Sequence, residues 1–207
     1  MVYAARGARH LVLHKATWEE DLTSHRVAEE RPDEGAVPDN TELVNLARSG
    51  DRKAFGILYE RYARAVHGIL LANVETTEVG DLMQDVFLTA MQQLPKLREA
   101  AAFGGWLVSI ARNRAKMHHR AARPFVALAP GIAGSERSDA SMETADILQA
   151  LRQLPERYRE PLMLRLIEEL NGSEIAQQTG LSHGTVRVYL HHGMRLLRDS
   201  LGDAYAG

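Results

Sequence analysis

Residues 173–193, SEIAQQTGLSHGTVRVYLHHG, constrain the fold more tightly than any other part of the chain. Ile175 faces inward from a first short helix and Val186 with Leu190 from a second, and between them lies Gly180, a residue free to take the positive φ of a tight turn. Ala176 is small where two helices must approach, Leu181 fills the gap between them, and Ser173 and Ser182 are oxygen-bearing residues at the two expected helix starts. This is the pattern of a helix-turn-helix, although an ordinary helical hairpin would use the same small residues. If the second helix enters a major groove, Ser182, His183, Thr185, Arg187, Val188, His191, His192 and Arg195 are its candidate reading residues. Arg187 is the best placed for a guanine edge, a contact worth about 1–3 kcal/mol of discrimination. His191 and His192 either donate to phosphates and bases or form a solvated face. They point about 100° apart, so they cannot share a metal ion.

A chain of 207 residues with 45% apolar content can build one large core or two small ones. With no cysteine, a disulfide framework and a thiolate metal site are excluded, and a reducing compartment fits. The opening residues hold only the short apolar run LVL, and no run approaches the roughly 20 apolar residues of a membrane span. A cytoplasmic location is therefore expected. His10 and His14 have i,i+4 spacing but no third ligand nearby in sequence, and read as plain surface.

The net charge is only −2, yet it is unevenly spread. Residues 1–40 carry 5 Lys/Arg against 8 Asp/Glu, and residues 41–120 carry 11 against 8. No acid falls between Glu99 and Glu136, an interval holding Arg112, Arg114, Lys116, Arg120 and Arg123. Such a local field survives an acidic total, because charges more than about 8 Å apart are largely screened at physiological salt.

Proline and glycine punctuate the chain at residues 31–40 and 123–141. Between them the apolar stripes of Leu43 and Val44, of Phe55 to Ile69, of Val79 to Leu94 and of Phe103 to Ala111 predict four helices. Beyond the second breaker, Ile147 to Leu154 predict a short helix, Pro155 starts another, and Leu162, Leu166 and Leu170 carry that helix to a C-cap at Asn171-Gly172. No strand alternation appears. The expected class is all-α, with two small helical domains on a flexible linker: an acidic, partly disordered extension over 1–40 with one helix around 17–30, a first domain over 41–121, a linker over 122–142, a second domain over 143–201 and a tail over 202–207.

On the last helix of the first domain, Arg112, Lys116, His119, Arg120 and Arg123 form one stripe opposite Trp106, Leu107 and Ile110, a surface suited to tracking a nucleic-acid backbone. Phe103 and Trp106 lie near enough to stack on bases if exposed, and are core if not. There is no nucleophile, base and orienter set, no P-loop, and no metal or cofactor constellation, so an enzyme is not expected.

Taken in order, DLMQDVFLTAMQQLPKL, AFGGWLVSIARNRAKMHHR and LRQLPERYREPLMLRLIEELNGSEIAQQTGLSHGTVRVYLHHGMRLLR resemble the bacterial RNA polymerase sigma factors of the extracytoplasmic-function (ECF) type, over residues 41–201. The resemblance implies that 41–121 are region 2 and 143–201 region 4. It assigns Asp81, Leu82, Gln84, Asp85 and Phe87 to the clamp coiled coil of the polymerase β′ subunit, with the β flap as a further contact. It implies a melted −10 element read by Arg98, Phe103, Trp106, Arg112, Asn113, Lys116 and Arg120, with Asn113 at a flipped base, and a −35 element read by the Arg187 helix. It also implies promoter DNA, core polymerase and an anti-sigma factor as partners. His192 departs from the family, where arginine is common. A linker of about 20 residues spans on the order of 25 Å as a coil and more when extended, which suits two promoter elements some two helical turns apart. The rival reading is a free-standing helix-turn-helix regulator with a helical sensing or dimerisation domain.

Overall fold

The structure, a computed structural model, describes residues 39–122 and 139–201. The expected helix around 17–30, the linker that follows Ala122 and the tail fall wholly or largely outside the described residues. Among the described residues all regular structure is helical, as the periodicity predicts.

Four α-helices make the first body: α1 (Asn40–Arg48), α2 (Arg52–Leu71), α3 (Val79–Gln93) and α4 (Phe103–Ala122). Aspartates start the first two. The Asp39 carboxylate accepts the Glu42 N–H at 2.7 Å, and that of Asp51 accepts those of Lys53 and Ala54, satisfying donors that have no partner inside the helix. Helix α2 is the axis of the bundle and buries Leu58, Tyr62, Val66 and Ile69 against α3 and α4. Tyr62 keeps its hydroxyl satisfied by Asn40, whose amide donates at 2.8 Å.

The second body comprises α5 (Asp139–Gln153), α6 (Glu156–Leu166), α7 (Gly172–Thr179) and α8 (His183–Leu201). Here the structure corrects two expected caps. Helix α6 ends at Leu166 and does not run on to Asn171; Glu169, with φ 56°, lies in the intervening turn. Asn171 is instead the N-cap of α7. Its side chain accepts the Glu174 N–H at 3.0 Å while Glu174 accepts the Asn171 N–H at 2.7 Å, a reciprocal pair that Ser173 would not make with Glu174 one residue away.

The two bodies pack on each other, α6 and α7 against α2, and α7 against α4. Two arginines of the second body help close the end of α2. Arg152 donates to the carbonyls of Leu71 and Val74, and Arg159 to that of Ala72, so backbone acceptors left open by the end of the helix meet cations.

Candidate nucleic-acid interface

Gly180 takes φ +73° and closes α7 by donating its N–H to Ala176, after which Ser182 starts α8 by accepting the Thr185 N–H at 3.1 Å. That turn aims the N-terminal half of α8 outward. Val186 and Leu190 are buried against the rest of the body, while Ser182, His183, Arg187, Val188, His191 and Arg195 are exposed. Val188 leaves half of its surface in solvent, 50%. Thr185 is half-buried, its hydroxyl bonded to that of Ser182. His192 is half-buried too and its ring lies 6.4 Å from that of Tyr158, so it faces α6 more than its neighbour His191 does.

On α4 the expected stripe is divided. Lys116 and Arg120 are exposed, as are Asn113 beside them and Arg98 before the helix. Arg123 lies outside the described residues. Arg112 is tied up: its Nε and Nη2 donate to Glu160 Oε2 of the second body at 2.9 and 2.5 Å. Burial pushes the Arg112 guanidinium towards losing its proton, but the hydrogen bond and charge of Glu160 outweigh that and hold it above its usual range. The Lys116–Glu156 pair, 3.7 Å apart with both side chains open to water, adds little. Phe103 is corrected outright. It is 1% exposed, edge-on to Tyr62 with ring centroids 5.1 Å apart, and so belongs to the core and not to a stacking platform. Trp106, 5.8 Å from it, is half-buried.

Two family models match the chain, "Sigma-70 region 2" over residues 58–125 and "Sigma-70, region 4" over residues 144–197. The chain is 32% identical over 164 residues to the RNA polymerase sigma factor CarQ of Myxococcus xanthus, covering 75% of this chain and 94% of that one. The chain belongs to the ECF sigma factors. It is also 30% identical over 175 residues to the ECF RNA polymerase sigma factor BldN of Streptomyces coelicolor, 78% of this chain and 66% of that longer one. Among solved structures it resembles CnrH in complex with the cytosolic domain of CnrY, with a TM-score of 0.56 and 26% identity over 80% of this chain and 97% of that one.

Within this sigma factor, α3 offers a second candidate surface and a second correction. Asp81, Gln84 and Asp85 are exposed, but Leu82 and Phe87 are 7% and 5% exposed and hold region 2 together. The apolar groups facing outward are Leu88 and Met91, 51% and 49% exposed. With Asp81, Gln84 and Asp85 they fall at i, i+3, i+4, i+7 and i+10, one continuous face. Spacing alone does not single them out, since Leu82, Val86 and Phe87 make a second apolar flank of the same helix.

His67 of α2 bonds Glu168 of region 4 through Nδ1. That bond, and secondarily the Glu168 charge, outweighs the opposing effect of burial and raises the His67 pKa above 6.5. The folded chain therefore holds this proton more tightly than the unfolded one. The contribution is complete below pH 6.5 and is lost as pH rises through the raised value. The urea midpoint should accordingly fall as pH rises above 6.5, and His67→Gln should remove much of that slope; an unchanged slope in the variant would refute the assignment.

Proposed function

We propose that this ECF sigma factor binds core RNA polymerase through the Asp81 to Met91 face of region 2 and directs it to promoters. In this reading α8 of region 4 reads the −35 element in the major groove, and region 2 engages the −10 element as separated strand, with Arg98, Asn113, Lys116 and Arg120 at its surface. The observation that carries it is the exposed Arg187–Val188 edge of α8, presented by the Gly180 turn and the Ser182 cap. A guanidinium suited to guanine beside an apolar group suited to a thymine methyl is the chemistry of major-groove readout. The chain itself supplies no bond-breaking chemistry; it lends the polymerase specificity and, after start-site selection, dissociates. It acts in the cytoplasm, where polymerase and promoter meet, and an anti-sigma factor of the kind that complexes its relatives holds it in reserve.

Two measurements test this. Incubation with core polymerase should give co-elution and promoter-dependent transcripts; binding to DNA alone, with no effect on the polymerase, would instead identify a free-standing regulator. Arg187→Ala should lower transcription from the cognate promoter roughly tenfold or more, the equivalent of losing about 1–3 kcal/mol. Full activity in that variant would remove Arg187 from the reading face.

A further inference from the structure

Helix α4 presents a band of exposed side chains. Ser109, Asn113, Lys116, Met117 and Arg120 all face water, and at about 100° per residue they fall within about 100° of arc. Opposite them Leu107, Val108, Ala111 and Ala115 are buried. Every member of the band except Met117 carries a hydrogen-bonding or charged group. Met117 is nevertheless 60% exposed, more than any other large apolar side chain among the described residues. A lone methionine on an ordinary surface needs no explanation. This one lies between Asn113, four residues before it, and Arg120, three after, in a stretch with no acid from residue 100 to residue 135.

The neighbours of the band fix where Met117 points. His118 Nε2 lies 2.7 Å from Glu78 Oε1 and His119 bonds the carbonyl of Asn73, so both imidazoles turn to the connection between α2 and α3. On the flank of His118, Arg114 donates to the Thr89 hydroxyl of α3 at 2.6 Å. On the other flank Arg112 is held by Glu160. Both edges of the exposed band are thus anchored to the protein, and Met117 is held facing outward with Asn113 and Arg120.

A strand lying on this band meets cations for its phosphates at Lys116 and Arg120 and an amide for its bases at Asn113. What remains for Met117 is a group that favours apolar contact. Guanine, adenine and cytosine present donors and acceptors on their readable edges, whereas thymine adds a 5-methyl group. A thioether is at most a weak acceptor on an unbranched, adaptable chain, so it gains nothing against a polar edge and gains by covering a methyl. We infer that Met117 is a specificity-determining residue of region 2, whose side chain covers the 5-methyl of one thymine in the −10 element. The inference rests on the proposed −10 reading and adds to it a base and the group by which that base is chosen.

The test removes that methyl alone. Core polymerase carrying this sigma factor is given a library of promoters randomised in both elements, and the transcribed sequences identify a preferred template. Each thymine of its −10 element is then replaced in turn by uracil, which keeps the base pair and lacks only the 5-methyl. At one position uracil should weaken open-complex formation about fourfold, the equivalent of about 0.8 kcal/mol for one buried methyl. Met117→Ala should weaken it at least as much on the thymine template and abolish the difference between thymine and uracil. Met117→Leu, still apolar, should retain most of that difference. Both variants should keep their urea midpoint, since the side chain lies mostly in water. A preferred −10 element without thymine, equal opening with thymine and uracil at every position, or a uracil penalty that survives in Met117→Ala overturns the inference. Lys116→Gln and Arg120→Gln distinguish its failure from that of the −10 reading. If they weaken opening on every template alike while thymine and uracil stay equal, Met117 alone loses its role; if they too leave opening unchanged, the −10 reading falls with it.

Discussion

Phe103→Ala should lower the stability of the chain by about 3–5 kcal/mol, because it removes a fully buried ring and leaves a cavity that the bundle cannot fill. The ring sits between Tyr62 of α2 and Trp106 of its own helix, so the loss falls at the junction of the first body's longest helices. In a chain of this size that corresponds to a melting temperature lower by roughly 10 °C. Trp106→Ala, at a half-buried position, should cost less. Urea denaturation of the two variants checks the ranking. A Phe103→Ala chain that kept its midpoint yet lost binding to −10 single strand would return Phe103 to the nucleic-acid surface.

The second large effect concerns binding. Replacing Leu88 and Met91 together by aspartate should weaken association with core polymerase about thirtyfold or more, the equivalent of about 2 kcal/mol for losing the apolar centre of a contact. Stability should change by no more than about 0.5 kcal/mol, since both side chains already lie half in water. Leu82→Ala should do the reverse and destabilise the fold by about 2–5 kcal/mol, touching polymerase affinity through unfolding alone. A titration of labelled core polymerase with each purified variant separates the two. Undiminished affinity in the Leu88 and Met91 variant would move the docking face away from α3.

The comparison of Leu82 with Leu88, and of Phe103 with Asn113, shows where the sequence was legible. Helical periodicity marks α3 as amphipathic, but Leu82, Val86 and Phe87 lie on one flank and Leu88 and Met91 on the other, and nothing in spacing alone says which flank the neighbouring helices cover. The Gly180 turn and the Ser182 cap, by contrast, were readable because each depends on a local requirement, a positive φ or an oxygen within reach of the Thr185 N–H. The start of α7 misled for the same local reason. Both Asn171 and Ser173 are capping residues, and the choice fell to the one with a glutamate three positions on.

The sequence by itself determined the helical class, the turn that presents Arg187, the cationic character of α4 and the order of the two regions, because periodicity, capping and charge act over a few residues. Tertiary structure alone decided that Arg112 is given to Glu160 while Lys116 and Arg120 stay at the surface, that Phe103 is core, and that Gly68, Gly104 and Gly105 receive region 4. Those outcomes depend on which surfaces meet across long separations in the chain, and a glycine, an arginine or a phenylalanine carries no local mark of the neighbour that will reach it.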